Sequence, residues 1–196
     1  SAINLLGLLH LNMGNFAVSE LPSKQALAAR RRTLGNEHPL TIISMTNLGE
    51  VYMGMEDLDR AQVLLEEAVA TSSRTLGGDH VRTLQRVTSL AKVLEGQREF
   101  TKSEELYTKT LASLRRTVGD NNPATLKCLC QLGSFLLDRG RLSEAQPKVE
   151  LALESAQREL GEEHNVTKAA HQVANRLSEA AMTCALSEVG LSNPPV

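Results

Sequence analysis

His38, His80 and His164 recur at a period of 42 residues, with Asn122 in the remaining place, and each stands three residues after a glycine (Gly35, Gly77, Gly161 and Gly119). Imidazoles can ligate a metal or move a proton near neutral pH, so a regular series of them is the first place to look for chemistry. The stretches around them, TLGNEHPLT, TLGGDHVRT, TVGDNNPAT and ELGEEHNVT, keep register while their side chains change. A loop that recurs at fixed spacing with variable chemistry is architecture before it is a site. In a stacked helical array successive members lie roughly two interaxial distances apart, each ~8–10 Å, whereas ligands of one ion must sit within about 2 Å of it. Asn122 also takes a histidine's place without disturbing the register. No metal and no cofactor is implied.

The other chemistry-bearing residues are no better placed. Glu66-Glu67 and Glu104-Glu105 read as exposed helix acids, and there is no HExxH, no glycine-rich phosphate loop after a strand, and no Ser or Cys paired with a base at motif spacing. No enzymatic activity is expected. Cys128, Cys130 and Cys184 are an odd number without CxxC spacing, and the first two point in different directions on a helix. A reduced, intracellular compartment fits them, the cytoplasm first, or an organelle if a targeting segment lies outside this sequence. With 41% hydrophobic and 22% charged residues the chain is neither disordered nor a membrane protein, and it has no apolar run of membrane-spanning length. A net charge of −2 offers no long-range attraction to a phosphate backbone, so nucleic acid is not an expected partner. SAINLLGLLHLNMGNF lacks a basic n-region and a cleavage site, so it does not read as a signal peptide. Ser at position 1 and a pattern that begins part-way through a repeat imply a fragment of a longer chain.

The elements that must position these residues are helix pairs. From Pro39, PLTIISMTNLGEVYMG has apolar residues at Leu40, Ile43, Leu48, Val51 and Tyr52, a mostly three-and-four spacing that predicts a helix of about four turns. It stops in the run Gly54-Met55-Glu56-Asp57. LDRAQVLLEEAVATSSRTL then puts Leu58, Ala61, Leu65, Ala68 and Val69 on one face and predicts a second helix ending at Gly77. Each recurring glycine falls just past a helix end, where a left-handed backbone favours it. The histidines and Asn122 fall at the N-cap of the next helix, with Pro39 and Pro123 at the first helical position. Arg32, Arg74, Arg116 and Arg158 sit in the last turn of each second helix, against the negative end of its dipole. With no Trp, two Tyr and three Phe, the core must be closely packed Leu, Val, Ala and Met.

Leu48, Gly49 and Tyr52 in the first helix, and Ala61, Leu65 and Ala68 in the second, resemble the L-G-x2-Y and A-x3-F elements of the tetratricopeptide pattern. The loop LGxxHPxT, the 42-residue period and the extended second helix are similar to the long repeats of kinesin light chains and nephrocystin-like proteins. The match continues through Leu6, Gly7 and His10, then Leu90, Ala91 and Leu94 with Ser103, Tyr107 and Thr110, then Leu132, Gly133 and Leu136 with Ala145, Val149 and Ala152. The family's Trp is absent, its place taken by Ile3, Met45, Val87, Leu129 and His171. The resemblance implies an all-α, right-handed superhelical solenoid of antiparallel helix pairs, a single domain over residues 1–190. It would comprise an incomplete repeat over about 1–35, repeats over 36–77, 78–119 and 120–161, a capping helix over 162–190, and a disordered tail over 191–196. RLSEAAMTCALSEVG runs through the expected turn without a break, so Val166 to about Leu186 reads as one longer helix.

The resemblance also implies that the first helices line a concave face. Its surface would be Asn4, Leu8 and Leu11; Ile43, Thr46, Glu50 and Met53; Gln85, Thr88, Lys92 and Glu95; Lys127, Cys130, Ser134 and Leu137; and Gln172, Arg176 and Glu179. Asn47, Ser89 and Gln131 flank it, where relatives carry an asparagine that bonds a peptide backbone. Lys92, Lys127 and Arg176 read either as a basic strip suited to an acidic peptide, with the apolar first half suited to a hydrophobic anchor, or as a solvated face opposed by Glu50, Glu95 and Glu179. The implied function is a non-catalytic scaffold that binds a partner protein or peptide through this face. The competing expectation is a constitutive subunit of a larger, multi-subunit assembly, held by its edges or convex face.

Overall fold

The computed structural model describes residues 16–188. Among them the chain is all-α, without strands. The helices are α1 (Phe16–Leu34), α2 (Pro39–Gly54), α3 (Leu58–Leu76), α4 (Val81–Gly96), α5 (Phe100–Val118), α6 (Pro123–Asp138), α7 (Leu142–Leu160) and α8 (Asn165–Glu188). The boundaries expected for the second repeat, at Pro39, Gly54, Leu58 and Gly77, are the observed ones. α8 is continuous through the place where earlier repeats turn, as its unbroken sequence implied. The chain divides inside α5, between Ser113 and Leu114, into two compact units.

In the first unit α1 packs on α2, α2 on α3 and α3 on α4, and α2 also touches α4. The apolar stripes read from the sequence meet in one cluster, in which Leu48, Tyr52, Ala61, Leu65 and Ala68 are joined by Leu27, Ile42, Met45, Val51 and Val93. Met45, standing where the family has Trp, is fully buried. In the second unit α7 packs on both α6 and α8, and α6 touches α8; Leu126, Ala156 and Val166 form a cluster there against Leu160. Small residues let these helices approach. A Cβ on Gly49 would lie 2.9 Å from Leu65 Cγ, and one on Gly133 would lie 2.6 Å from Val149 Cγ2. In the third repeat the small-residue position of α5 holds Ser103, whose buried hydroxyl donates to the Ala91 carbonyl at 2.8 Å and so is not left unpaired.

One pair of facing positions shows how neighbouring repeats register. Arg30 of α1 donates to Ser44 Oγ of α2 at 2.6 Å, and one repeat later the two residue types exchange places, with Arg86 of α4 donating to Ser72 Oγ of α3 at 3.3 Å. A further repeat on, the same positions hold Leu114 and Cys128, and then Ala156 and Ala170, all buried. In the first three pairs a long side chain is met by a short one, which keeps the volume between helices filled without overpacking.

The recurring loop is a helix stop followed by a helix start. His38, His80 and His164 accept from the backbone N–H two residues on through Nδ1, at 3.2, 3.1 and 3.1 Å, and Asn122 Oδ1 does the same at 2.9 Å. The accepting Nδ1 places the proton of a neutral ring on Nε2. The glycines differ in one respect from expectation. Gly77 (φ 98°, ψ 152°) and Gly161 (φ 80°, ψ 168°) have positive φ but an extended ψ rather than the left-handed helical value, a region open essentially to glycine alone. That geometry turns the chain out of one helix and into the β-region φ of the next N-cap. Replacing His80 by Ala should cost about 1 kcal/mol in a urea titration, while His80→Asn should stay close to wild type and equimolar Zn2+ should move neither midpoint.

The turn inside each pair holds a feature that the sequence hid. Glu56 and Arg98 have φ of 61° and 64°, and Gly140 occupies the equivalent position at 71°. The N–H of the next residue closes the helix end in each case, Asp57 to Tyr52 O, Glu99 to Leu94 O and Arg141 to Leu136 O, at 2.9, 2.9 and 3.0 Å. Within the run Gly54-Met55-Glu56-Asp57 the break in the second repeat therefore turns on Glu56.

Candidate functional site

The surface expected to meet a partner is carried by the first helix of each pair. Asn4, Leu8 and Leu11 lie outside the described residues. In the first unit α2 presents Ile43, Thr46, Asn47 and Glu50, all half-buried, beside Met53; α4 presents Gln85 and Lys92, both exposed. Thr46 is tied to its own helix by a 3.0 Å bond to Ile42 O, and Ser89 makes a longer one to Gln85 O. Glu95 accepts from the Tyr107 hydroxyl at 3.3 Å, so it bridges a first helix to its second.

In the second unit Lys127 is exposed, Gln131 and Ser134 are half-buried, and Arg176 of α8 reaches across to α6. Arg176 donates to Ser134 Oγ at 3.0 Å and pairs with Asp138. The cation and hydroxyl expected on one face are thus together, but the cation is already partly neutralised. Lys92 and Lys127 have no acidic partner among the described residues. The Gln131 side chain has its buried Oε1 without a hydrogen-bond partner. An orphaned buried acceptor is uncommon and normally signals a missing donor.

Three residues of the expected stripe are not presented at all. Thr88, Cys130 and Leu137 are 5%, 3% and 8% exposed. First helices of neighbouring repeats touch directly, α2 with α4 and α6 with α8, and this covers the flank of each helix that a single-helix projection leaves open. Burial pushes the Cys130 thiol up to about 11, which leaves almost no thiolate at neutral pH. Cys128 is also buried, whereas Cys184 is exposed. A thiol reagent at pH 8 should therefore titrate one cysteine per native chain and three after unfolding. Fast labelling of all three in the native state would contradict this burial.

Sequence reasoning missed two features of the first unit. Arg86 is 7% exposed and has no carboxylate partner among the described residues; its guanidinium donates to Arg82 O at 2.6 Å and to Ser72 Oγ, and Nε is unsatisfied. Burial, then the nearby Arg82 charge, lowers its pKa. Nothing in a single helical stripe distinguishes such an arginine from a surface one; only the i to i+14 exchange of Arg30–Ser44 for Ser72–Arg86 could have marked it. The second feature is a groove on the far side of α2, between α1 and α3. Among the described residues no helix is long and apolar enough to cross a membrane.

Residues 1–71 and 85–147 match the family model described as Tetratricopeptide repeat. No curated protein sequence matches the chain. Among solved structures, the fold is similar to that of a candidate kinesin light chain from Podosopora anserina with nearly identical TPR-like repeats, at 22% identity and a TM-score of 0.68, covering 93% of this chain and 86% of that one. A single-substitution variant of that protein, with methionine in place of a glutamine, gives a TM-score of 0.67 at 22% identity, with 97% and 96% covered. BtubC (BKLC) from P. vanneervenii gives 0.68 at 19% identity, covering 99% of this chain and 82% of that one. At these identities the likeness is one of fold, and it agrees with the kinesin light chain-like repeat read from the loop and period.

Proposed function

The chain belongs to the tetratricopeptide repeat family, and from that premise we propose that it is a non-catalytic interaction module whose first-helix face holds an extended peptide of a partner protein. Family membership supports a protein-interaction scaffold in general, on a fold that is typically non-catalytic. The observation that carries the finer reading is the Gln131 carboxamide, half-buried on that face with its oxygen unpartnered. That oxygen is closed to solvent, so a backbone N–H of a bound peptide would satisfy it once the carboxamide turns outward. Lys92 and Lys127, exposed and without acidic partners among the described residues, favour an acidic peptide, while Ile43 and Met53 suit a hydrophobic anchor. Asn47, Gln85, Ser134 and Arg176 complete the set of proposed contacts. An intracellular, cytoplasmic site of action accords with an odd number of cysteines without CxxC spacing.

Lys92→Glu combined with Lys127→Glu should weaken binding of a partner recovered by pull-down at least about tenfold, the effect of losing one or two charge-assisted bonds, with helical content unchanged. Unchanged affinity would remove the first-helix face as the binding surface and leave the constitutive-subunit reading, in which edges or the opposite face make the contacts.

A further inference from the structure

The far side of α2 carries a second surface that the first-helix reading does not use. There α1 and α3 diverge over α2 and enclose a groove of about 870 Å3. Its floor is apolar, made by Leu27, Leu48, Tyr52 and Leu64, and Val63 stands on its wall with 65% of its surface exposed. Four cations line it, Lys24, Arg31, Arg32 and Arg60, against one carboxylate, Asp59, in a chain whose net charge is −2. Two of the cations are held in place by the floor itself: Arg60 lies over the Tyr52 ring at 4.9 Å from its centroid and Lys24 at 5.7 Å. Lys24, Arg60 and Arg31 pair outside the groove with Glu20, Asp57 and Glu67 at 2.6, 2.7 and 2.6 Å, half-buried surface pairs of the kind that add little net stability. Arg32 has no partner among the described residues.

This combination is particular to one junction and is not a by-product of the repeat. At the same register positions one repeat later, Lys24 becomes Glu66, Arg31 becomes Ser73 and Val63 becomes Glu105. The apolar wall and half of the basic rim are lost while the helices remain.

We propose that the groove between α1 and α3 is a docking surface for a short acidic segment of a partner protein, with an aliphatic side chain of that segment seated against Val63 and Leu64 and its carboxylates on the basic rim. An apolar bed with fixed cations at its edge favours a ligand in which acidic and aliphatic residues alternate. This surface is separate from the first-helix face and stands independently of it.

The test uses a fluorescein-labelled peptide, Glu-Glu-Leu-Glu-Glu-Leu-Glu-Glu, its counterpart with Gln in place of every Glu, and fluorescence anisotropy. The variant is Lys24→Glu with Arg31→Ser and Val63→Glu, which places at this junction the residues that α3 and α5 already carry one repeat on, and circular dichroism confirms that it folds. The acidic peptide should bind the unmodified chain saturably, bind the variant at least tenfold more weakly, and keep its affinity for Lys92→Glu/Lys127→Glu; the Gln peptide should bind at least tenfold more weakly than the acidic one. No saturable binding up to about 1 mM overturns the proposal. So does equal affinity for the variant, equal affinity for the Gln peptide, or a loss confined to the Lys92/Lys127 variant.

Discussion

Gly133→Leu is expected to lose about 3 kcal/mol or more of unfolding free energy, and Val149→Ala in the same chain should return much of it. The Cβ of any residue at 133 would come within 2.6 Å of Val149 Cγ2 and 3.6 Å of the Val149 backbone nitrogen. Val149 is fully buried, and its branched side chain has one comfortable rotamer in a helix, so it cannot swing aside. α6 and α7 must then separate. Glycine itself costs a helix interior roughly 1 kcal/mol relative to alanine, so close approach is what keeps it there. For that reason Gly133→Ala should show a smaller net loss, with propensity offsetting part of the clash. The third repeat supplies a natural comparison, since Ala91 stands where Gly49 and Gly133 do and is met by Tyr107 in place of Leu65 or Val149. Urea denaturation of the two single variants and the double variant checks the coupling; a wild-type midpoint for Gly133→Leu would show that the helices are not so close.

Arg86→Met should move stability the other way, by a gain of about 1–4 kcal/mol. The guanidinium is almost wholly removed from water, faces no carboxylate among the described residues and leaves Nε without a partner. Its acceptors do not need it. Arg82 O can keep its intrahelical bond to the Arg86 N–H, and Ser72 Oγ still receives the Thr83 hydroxyl at 3.1 Å. A methionine of similar length would fill the space as Leu114 does opposite Cys128 one repeat on. The complementary variant, Ser72→Arg in the wild-type background, sets two cations face to face and should be strongly destabilising, whereas adding Arg86→Ser recreates the Arg30–Ser44 arrangement and should recover it. A loss of more than about 1 kcal/mol in Arg86→Met would mean that the two hydrogen bonds outweigh desolvation of the charge.

The repeat was legible because its signals are local. A glycine that must take positive φ, a cap three residues later and a proline at the first helical position can each be read without knowing what packs where. The inward stripe was legible for the same reason, and Leu48, Tyr52, Ala61, Leu65 and Ala68 are in the core as expected. What stayed hidden depends on how helices meet one another or end. Cys130 and Thr88 lie on an open flank of an isolated helix and are buried only once that helix packs with its neighbours. Arg86 looks like any helix-surface cation until Ser72 faces it. Glu56 and Arg98 adopt positive φ because the helix end demands it, with no glycine to announce the turn. The groove between α1 and α3 is likewise a property of two second helices and the floor beneath them, so no stripe on one element could reveal it.

Both proposed binding surfaces require the 42-residue hairpin to be this chain's unit of structure. Amide hydrogen exchange on the native protein reads this directly. Slow exchange should fall in separate blocks, α2, α3, α4, α6 and α7, interrupted at Gly77–His80, at Gly119–Asn122 and at Gly161–His164. Protection running unbroken through those loops, or its absence from α2 and α3, would contradict the account.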